Sequence, residues 1–528
     1  MKMVSSISGR VPPLFFDLSK IIAGEIDCSL ENLERYSSDG SSYSILPQAV
    51  IYPKNVTDIK HVLSFAREYT MPVTVRGCGK GRQGGAIGEG ILIDMTRYFN
   101  NIRHISMADN LVTVDTGITV AEFSKRLDGW GFELPSLLKS EEDTTLGGLF
   151  ATRSASPSSF FHGSIREWVE GLTVIVDNGE EHKLADGVNP SGRLLGIYQS
   201  VFPILSEQGA QIRAAKPLTS DDATGYSMWN TSIGPRQLID QLSGSEGTLG
   251  IVTSLTLRLI PKRHHSEVTL IPVTEDDLPS LIETAKHHKA ESLFMYDETF
   301  QNLTDRYHPG LLPIFLETPY VLIVIHKDND KKRLRDTVKS FKSELHIPEH
   351  LIKSSDDEQK FLRIMSYEFL HATAMTYSKG ALVPLSSTEG GVVKINELPR
   401  YIQEVASYVH KGGKVSTLTG YVGSGHLAVT TLIDPYGKLY AEDITSHQDY
   451  IFSLLKKYKG GLSATGGDGL SRTPYLSYIY NETTLSVFGR IKKAWDPLSI
   501  LNPGKKVNIS LTYLNKHLVS PKHKQERP

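Results

Sequence analysis

The sequence predicts a mixed α+β protein of two or three domains, and three observations carry that reading. The chain has 528 residues, about three times the length of an ordinary domain. Its first half alternates short β-branched runs with amphipathic helical segments. After Lys262-Arg-His-His265 the character changes, and strands begin to alternate with more polar helices, which marks a separate folding unit. Hydrophobic residues make up 39% and charged residues 22%, a globular mix that argues against long disorder.

The elements follow in order. Pro47 to Pro53 reads as a short extended segment, after which Asn55 caps a helix from Val56 to about Tyr69. Ile59, Val62, Leu63 and Ala66 form its apolar stripe. Pro72-Val-Thr-Val75 is a β-branched strand that runs straight into a glycine-rich loop. A strand at Leu111–Asp115 and a helix from Val120 to Leu127 come next. Leu172–Gly179 is a strand closed by Asn178-Gly179, a strong hairpin signal. Gly250–Ile260 alternates and stops at Pro261. Beyond it, strands at Val268–Val273, Leu293–Tyr296 and Tyr320–His326 alternate with helices at Glu275–Lys289 and Lys331–Glu344. This block, continuing to about residue 440, is expected to leave one sheet face exposed. Tyr475 to Val507 reads as helical, and 508–528 as a polar, loosely held tail.

Composition excludes several classes. A formal net charge of −2 gives no general attraction to nucleic acid or anionic membranes. Two cysteines, Cys28 and Cys78, supply neither a disulfide framework nor an all-cysteine zinc site or Fe–S cluster. Runs such as Tyr320–Ile325 are strand-length and too short to span a bilayer. The first 25 residues contain no continuous apolar stretch, so no secretory signal is expected and the reading is a cytoplasmic protein.

The informative segments are rich in glycine. Arg76-Gly-Cys-Gly-Lys-Gly-Arg-Gln-Gly-Gly85 contains a literal GxGxxG, but turn and strand residues follow it, so the helix of a dinucleotide fingerprint is missing. Its clustered glycines still leave backbone N–H groups able to cradle a diphosphate. A second segment opens with Thr144-Thr-Leu-Gly-Gly148, and a third is Gly244-Ser-Glu-Gly-Thr-Leu-Gly250. Three places of close backbone approach suggest one long ligand lying across the domain.

Together with Thr224-Gly-Tyr226 and Asn502-Pro-Gly504, these strings resemble the vanillyl-alcohol-oxidase-type flavoproteins, and within them the D-lactate dehydrogenase and glycolate oxidase large-subunit branch. The likeness runs from about residue 45 to about 507. It implies a two-part FAD-binding domain with an inserted α+β cap. Residues 1–262 and 466–507 would make the FAD domain, 263–465 the cap that covers the substrate, and 508–528 the tail. Carried over by position, Arg76, Gly77, Cys78, Gly79, Lys80 and Gly81 would cradle the pyrophosphate, with Gly84 and Gly85 continuing the loop. Thr145, Gly147, Gly148, Ala151 and Ala155 would line the ribityl and adenine path, and Ile251 would meet the adenine end. Asn502 and Lys505 would approach the flavin ring.

Two departures from the family pattern matter. Relatives that bind flavin covalently use a histidine where this chain has Lys80, so FAD is expected to be noncovalent, and Cys78 reads as a small loop residue. The family's metal site draws on a His-x-Gly-Asp-Gly-Asn-x-His string and a later Glu-His pair. Here Tyr421 and Ala428 stand for the two histidines, Ser424 for the acid, and Thr465 and Gly466 for Glu-His. That set cannot hold a divalent ion, so no metal is expected. Arg153 and His162 also depart from the family at positions expected near the cofactor.

The candidates for catalysis are therefore His426, as a base for a hydroxyl proton, and Tyr421, as a hydrogen-bond donor to a forming alkoxide. The alternative for His426 is that it merely satisfies backbone in its turn. Lys394 and Lys379 are weaker candidates for binding an anionic group, and Arg363 reads as either a carboxylate clamp or a solvated helix residue. His264-His265 and His287-His288 are expected to be surface pairs, because neighbouring side chains on a strand or helix diverge.

What the resemblance implies is an FAD-dependent oxidoreductase that dehydrogenates a CH–OH group of a small polar, D-2-hydroxy-acid-like substrate, with hydride passing to flavin N5. Electrons would leave to oxygen, a quinone or a protein carrier, and a homo-oligomer is left open. Two alternatives stand beside it: oxidation of a sugar, lactone or amine on the same fold, and a flavin-binding subunit without chemistry of its own.

Overall fold

The structure is a computed structural model that describes residues 11–137, 142–219, 222–230, 234–379 and 381–519. Three sheets organise it. The first has the strand order Glu25–Asp27, Ala49–Tyr52, Ile91–Asp94, Val73–Arg76, antiparallel at its first pair and parallel thereafter. Parallel neighbours need a crossover, and the helix Val56–Glu68 supplies it between Ala49–Tyr52 and Val73–Arg76. Asn55 caps that helix by accepting from the Asp58 N–H at 3.1 Å, and the expected stripe of Ile59, Val62, Leu63 and Ala66 is buried against the sheet.

The second sheet is antiparallel throughout, in the order Ile102–Ser106, Leu111–Asp115, Ile251–Arg258, Val169–Ile175, Glu181–Ala185. Its last hairpin turns at Asn178-Gly179, where Gly179 has φ +86° and Val176 and Glu180 close the turn through a 3.0 Å bond. The left-handed backbone there is what glycine supplies at no steric cost.

The third sheet has eight strands, paired antiparallel. Its path runs Lys353–Ser355, His265–Val273, Tyr320–Asp328, Ser292–Asp297, Ser416–Gly420, His426–Ile433, Val383–Leu385, and Gly391–Val392 also pairs with His426–Ile433. The expected exposed face is corrected here. Alternation along Tyr320–Asp328 sends Leu322 and Val324 into one core and Val321, Ile323 and Ile325 into another. The second face is covered by Phe300, Phe361, Ile364, Phe369 and Leu370, from helices that the polar spacing of that stretch concealed.

The chain end returns to the first sheet. Val73 donates to the Ile500 carbonyl at 2.7 Å, and its own carbonyl accepts from Asn502 at 2.8 Å. Between 475 and 507 the long helix is only Glu482–Trp495, after short turns at Thr473–Tyr475 and Leu476–Ile479, so the reading of that whole stretch as helical is corrected. The loosely held tail is corrected for 508–519. The helix Leu511–Lys516 buries Leu514 beside Tyr43, Ile45, Ile87 and Leu470, and Val519 donates to the Ser42 carbonyl at 2.8 Å. The rest of that tail lies outside the described residues.

Candidate functional site

An open cleft enclosing about 1370 Å³ runs between the glycine segments and the edge of the eight-stranded sheet. Its first wall is the loop that leaves the strand Val73–Arg76. Among the described residues, no backbone N–H from Gly77 through Gly85 donates to another part of the chain. Gly77, Cys78, Gly79, Lys80, Gly81 and Gly85 all line the cleft. Gly79 has φ +67°, and a Cβ there would stand 2.1 Å from the Arg76 guanidinium. Arg76 itself does not line the cleft. Its Nη1 donates to the carbonyls of Tyr36, Ser38 and Ala86 at 2.9–3.3 Å, which ties down both ends of the loop. Gly84 (φ +76°) also turns away, against Leu470.

The second wall is built by Thr145, Gly147, Gly148 and Ala151, all lining the cleft. The second glycine segment forms the short helix Leu146–Thr152, with Thr145 Oγ1 accepting from the Gly148 N–H at 3.2 Å. A Cβ on Gly77 would stand 2.1 Å from Thr145 Oγ1, so the two walls can meet only because that residue is glycine. Ala155 is elsewhere, packed into the core of the large sheet. The third wall holds Ser245, Glu246, Gly247, Gly250 and Ile251.

Asn502 and Lys505 support this wall rather than line it. Buried Asn502 donates through Nδ2 to the carbonyls of Gly85 (2.9 Å) and Glu246 (2.7 Å), which pins the first wall to the third. Lys505 Nζ donates to the Ile87 carbonyl at 2.6 Å, and burial pulls its pKa down to about 8. Cys78 is half-buried, and burial pushes its thiol up to about 11, far from a reactive thiolate. Lys80 pairs with Asp143 at 3.2 Å.

The catalytic candidates lie outside the cleft lining. His426 is fully buried with both nitrogens engaged: Nε2 lies 2.8 Å from the Glu389 carbonyl and 3.2 Å from the Tyr367 hydroxyl, and Nδ1 accepts from the Tyr421 N–H at 3.2 Å. Burial lowers its pKa to about 4, against the pull of the Glu389 carbonyl. This geometry fits the alternative in which His426 satisfies the fold. Tyr421 packs with Phe294 and Tyr367 in the cap core. Lys394, Lys379 and Arg363 are exposed. Arg153 bonds Ser227 at 3.0 Å, and His162 faces Glu291 at 3.8 Å, neither lining the cleft.

The polar end of the cleft consists of Arg82, Gln83, Glu389, Thr465, Gly466 and Arg472, of which sequence had marked only Thr465 and Gly466, as positions without the family's metal ligands. Glu389 Oε1 is 2.6 Å from His371 Nε2 and accepts from the Thr430 hydroxyl at 2.7 Å, while Oε2 lies 3.3 Å from Arg82 Nε. Burial alone would raise the Glu389 carboxyl, but His371, Arg82 and Thr430 outweigh it and hold it at about 2. The Arg82 guanidinium also sits over the Tyr367 ring, 4.1 Å from its centroid. Arg472 is 1% exposed and fixed by the carbonyls of Ser387, Thr465 and Gly467 at 2.8–2.9 Å. Burial lowers its pKa to about 10, which leaves it charged at neutral pH. The one signal for this end was the pair of arginines, and neither had a spacing rule to mark it.

The walls fit FAD. Gly81 and Gly148 line the cleft, and a Cβ on either would meet little protein, nothing nearer than Asp39 Oδ2 at 4.0 Å and Thr145 Oγ1 at 3.1 Å respectively. Their missing side chains leave room in the cleft, and beside Gly81 that room adjoins backbone donors with no acceptor among the described residues. The family's metal does not fit, since Ala428 and Gly466 offer no side-chain donor and Tyr421 is in the cap core.

Comparison with known proteins agrees with this geometry. The family model for the FAD binding domain matches residues 47–185, and that for the C-terminal domain of FAD linked oxidases matches 261–506. The chain belongs to the FAD-linked oxidases and carries their FAD-binding domain. It is 26% identical over 508 residues to D-2-hydroxyglutarate dehydrogenase of Escherichia coli, with 89% of this chain and 49% of that protein covered. It is 24% identical to glycolate oxidase subunit GlcD of Bacillus subtilis, covering 89% and 91%. It is 22% identical to a probable mitochondrial D-lactate dehydrogenase of Danio rerio, covering 88% and 85%. The chain spans about half the length of the first of these. Among solved structures, alkyldihydroxyacetonephosphate synthase superposes with a TM-score of 0.64 at 15% identity, covering 94% of this chain and 85% of that one. Among the described residues no helix is long and apolar enough to cross a membrane.

Proposed function

We propose that this chain is an FAD-dependent oxidoreductase that dehydrogenates the CH–OH group of a small hydroxy-acid-like substrate without a metal beside the cofactor. The observation that carries it is the convergence of the glycine-walled cleft on Arg82, Glu389 and Arg472. Bound FAD supplies the two-electron acceptor. The residues cited for the three walls hold it noncovalently, 263–465 acts as the cap, and Arg76, Asn502 and Lys505 serve by fixing the walls.

Arg82 and Arg472 bind the anionic group of the substrate. Arg472 is immobilised by three carbonyls and so needs no reorganisation on binding. Glu389, ionised with a pKa near 2, fixes Arg82 and is a poor proton acceptor at neutral pH. Two guanidinium groups at this end favour the alkoxide form of a bound hydroxyl, the role a metal would otherwise fill, and the hydroxyl proton leaves to solvent water in the open cleft. Oxygen, a quinone or a protein carrier takes the electrons onward.

One observation favours the second reading, a flavin-binding subunit without chemistry. His426, the expected base, is used by the fold. The deciding experiment is the absorption spectrum of the purified protein, followed by anaerobic addition of D-lactate, glycolate, D-2-hydroxyglutarate and several sugars. Bleaching of the oxidised-flavin band by a hydroxy acid supports the enzyme, and bleaching by a sugar alone moves the substrate class. A flavin that none of them reduces favours the subunit.

A further inference from the structure

On the face of the eight-stranded sheet that carries Leu322 and Val324, away from the cleft lining, two helices end at the same place. The helix Leu278–His287 finishes on His287, with His288 as its C-cap, and Lys331–Glu344 finishes on Glu344. One nitrogen of each imidazole and one Glu344 oxygen all lie within 4.8 Å of one another. Sequence spacing had made His287-His288 a diverging surface pair. The chain leaves helical geometry at His288, which brings the rings to a centroid distance of 5.0 Å and buries the His288 side chain to 9% exposure.

An ordinary ion pair does not account for the cluster. His288 Nε2 is buried and 2.8 Å from Glu344 Oε1, yet without the alignment that a hydrogen bond requires. A second, independent observation comes from the neighbouring strand. His326 is 2% exposed, lines the same cavity as His287 and His288, and neither of its ring nitrogens has a hydrogen-bond partner among the described residues. A buried imidazole without hydrogen bonds is costly unless something else takes its lone pair.

We propose that His287, His288 and Glu344 bind one divalent transition-metal ion of the Zn²⁺ class, with the unpartnered His326 lining the cavity beside them. Imidazole and carboxylate donors suit such ions, whereas Mg²⁺ and Ca²⁺ take oxygen ligands. The negative ends of two helix dipoles meet at the cluster and favour a cation there. The nearby cations are mostly neutralised: Arg333 by Asp328, Lys342 by Glu267 and Lys327 by Glu358, which leaves Lys289 at the rim. Bridging two helix ends, the ion would act as a structural clamp rather than in the flavin reaction.

The test is calorimetric titration of Zn²⁺ into the chelator-treated, FAD-loaded full chain, repeated with Mg²⁺ and followed by thermal unfolding. The expected result is one Zn²⁺ per chain, a raised melting temperature, no Mg²⁺ binding and an unchanged flavin spectrum. Glu344→Gln and His288→Ala should each weaken binding about tenfold or more. Absence of Zn²⁺ binding by the wild type overturns the proposal, and so does equal binding by the folded His287→Ala/His288→Ala variant, which would place the ion elsewhere.

Discussion

Arg82 Nε stands 3.3 Å from Glu389 Oε2, joining the loop that walls the cleft to the turn between the strands Val383–Leu385 and Gly391–Val392. Glu389 is 1% exposed and also holds His371 and Thr430, so the contact is an anchored one. Removing one partner of a buried pair leaves the other charge uncompensated, at a cost of about 3–5 kcal/mol. Arg82 is partly exposed, which puts the expected cost at the lower end of that range or beneath it. Glu389→Gln should keep FAD but raise the substrate KM and slow anaerobic flavin reduction about tenfold or more. Stopped-flow reduction of the variant at saturating substrate checks this, and an unchanged rate would remove Arg82 and Glu389 from the substrate end.

His426 should behave as a structural residue. His426→Leu removes the acceptor for the Tyr421 N–H and the contact to the Glu389 carbonyl, and an unsatisfied buried polar group costs about 1–3 kcal/mol. The expected outcome is a lower urea midpoint with the reduction rate per bound flavin preserved. A fall in that rate of a hundredfold or more, with stability intact, would return His426 to the chemistry.

Burial predicts the acid limit of the fold. Three imidazoles, His326, His426 and His447, are lowered to about 4 by burial in the folded state, against about 6.5 in the unfolded chain. A group with a depressed folded pKa contributes stability above its unfolded value and loses it as pH falls through the folded one. Glu389, at about 2, adds a further loss below the ordinary carboxylate range. Asp222 and Asp297, raised by burial to about 7, oppose this over the same window, so the histidine share is read as a difference between two proteins. His326→Phe, in contact with the Phe341 ring, should gain stability relative to the wild type as pH falls from 6.5 to 4. A difference between the two midpoints that stays constant over that window contradicts the prediction.

How much of this was legible in the sequence follows from the range of the interactions. Local signals carried well: the Asn55 cap and stripe, the Asn178-Gly179 turn and the helix Lys331–Glu344 each depend on neighbours in the chain. The glycine strings also carried, because close backbone approach demands a particular residue type wherever the partner lies. What did not carry was charge placed by tertiary contact. Arg472 is an unremarkable basic residue in sequence, and only the carbonyls of Ser387, Thr465 and Gly467 make it a rigid guanidinium beside the cleft. The same limit misplaced His426, whose partners Tyr367 and Glu389 come from a separate stretch of the cap.

Asn502 offers the cleanest separation of cofactor binding from fold. Its Nδ2 donates to Gly85 and Glu246, its backbone N–H to Val73, and Thr74 Oγ1 lies 3.1 Å from its Oδ1. Asn502→Ala keeps the backbone bond but strands two wall carbonyls, at about 1–3 kcal/mol, and sets alanine at a φ of +41° that asparagine adopts more readily. The two walls should loosen, and FAD affinity should fall by roughly one to two orders of magnitude, since each 1.4 kcal/mol is tenfold.

Gly148→Val tests the cleft directly. Gly148 lines it, and beyond Thr145 Oγ1 a Cβ there meets no protein atom within 4 Å, so the added isopropyl group projects into the space assigned to FAD. The φ at this residue lies outside the left-handed region, so the substitution imposes no backbone strain of that kind. The chief local cost is the 3.1 Å approach of Cβ to Thr145 Oγ1, since valine is a better helix former than the glycine it replaces. The purified variant should therefore keep its circular dichroism and melt near the wild-type apoprotein, yet come off the column colourless and stay so after incubation with FAD. A yellow Gly148→Val protein with the wild-type flavin content would place the cofactor somewhere other than between these walls.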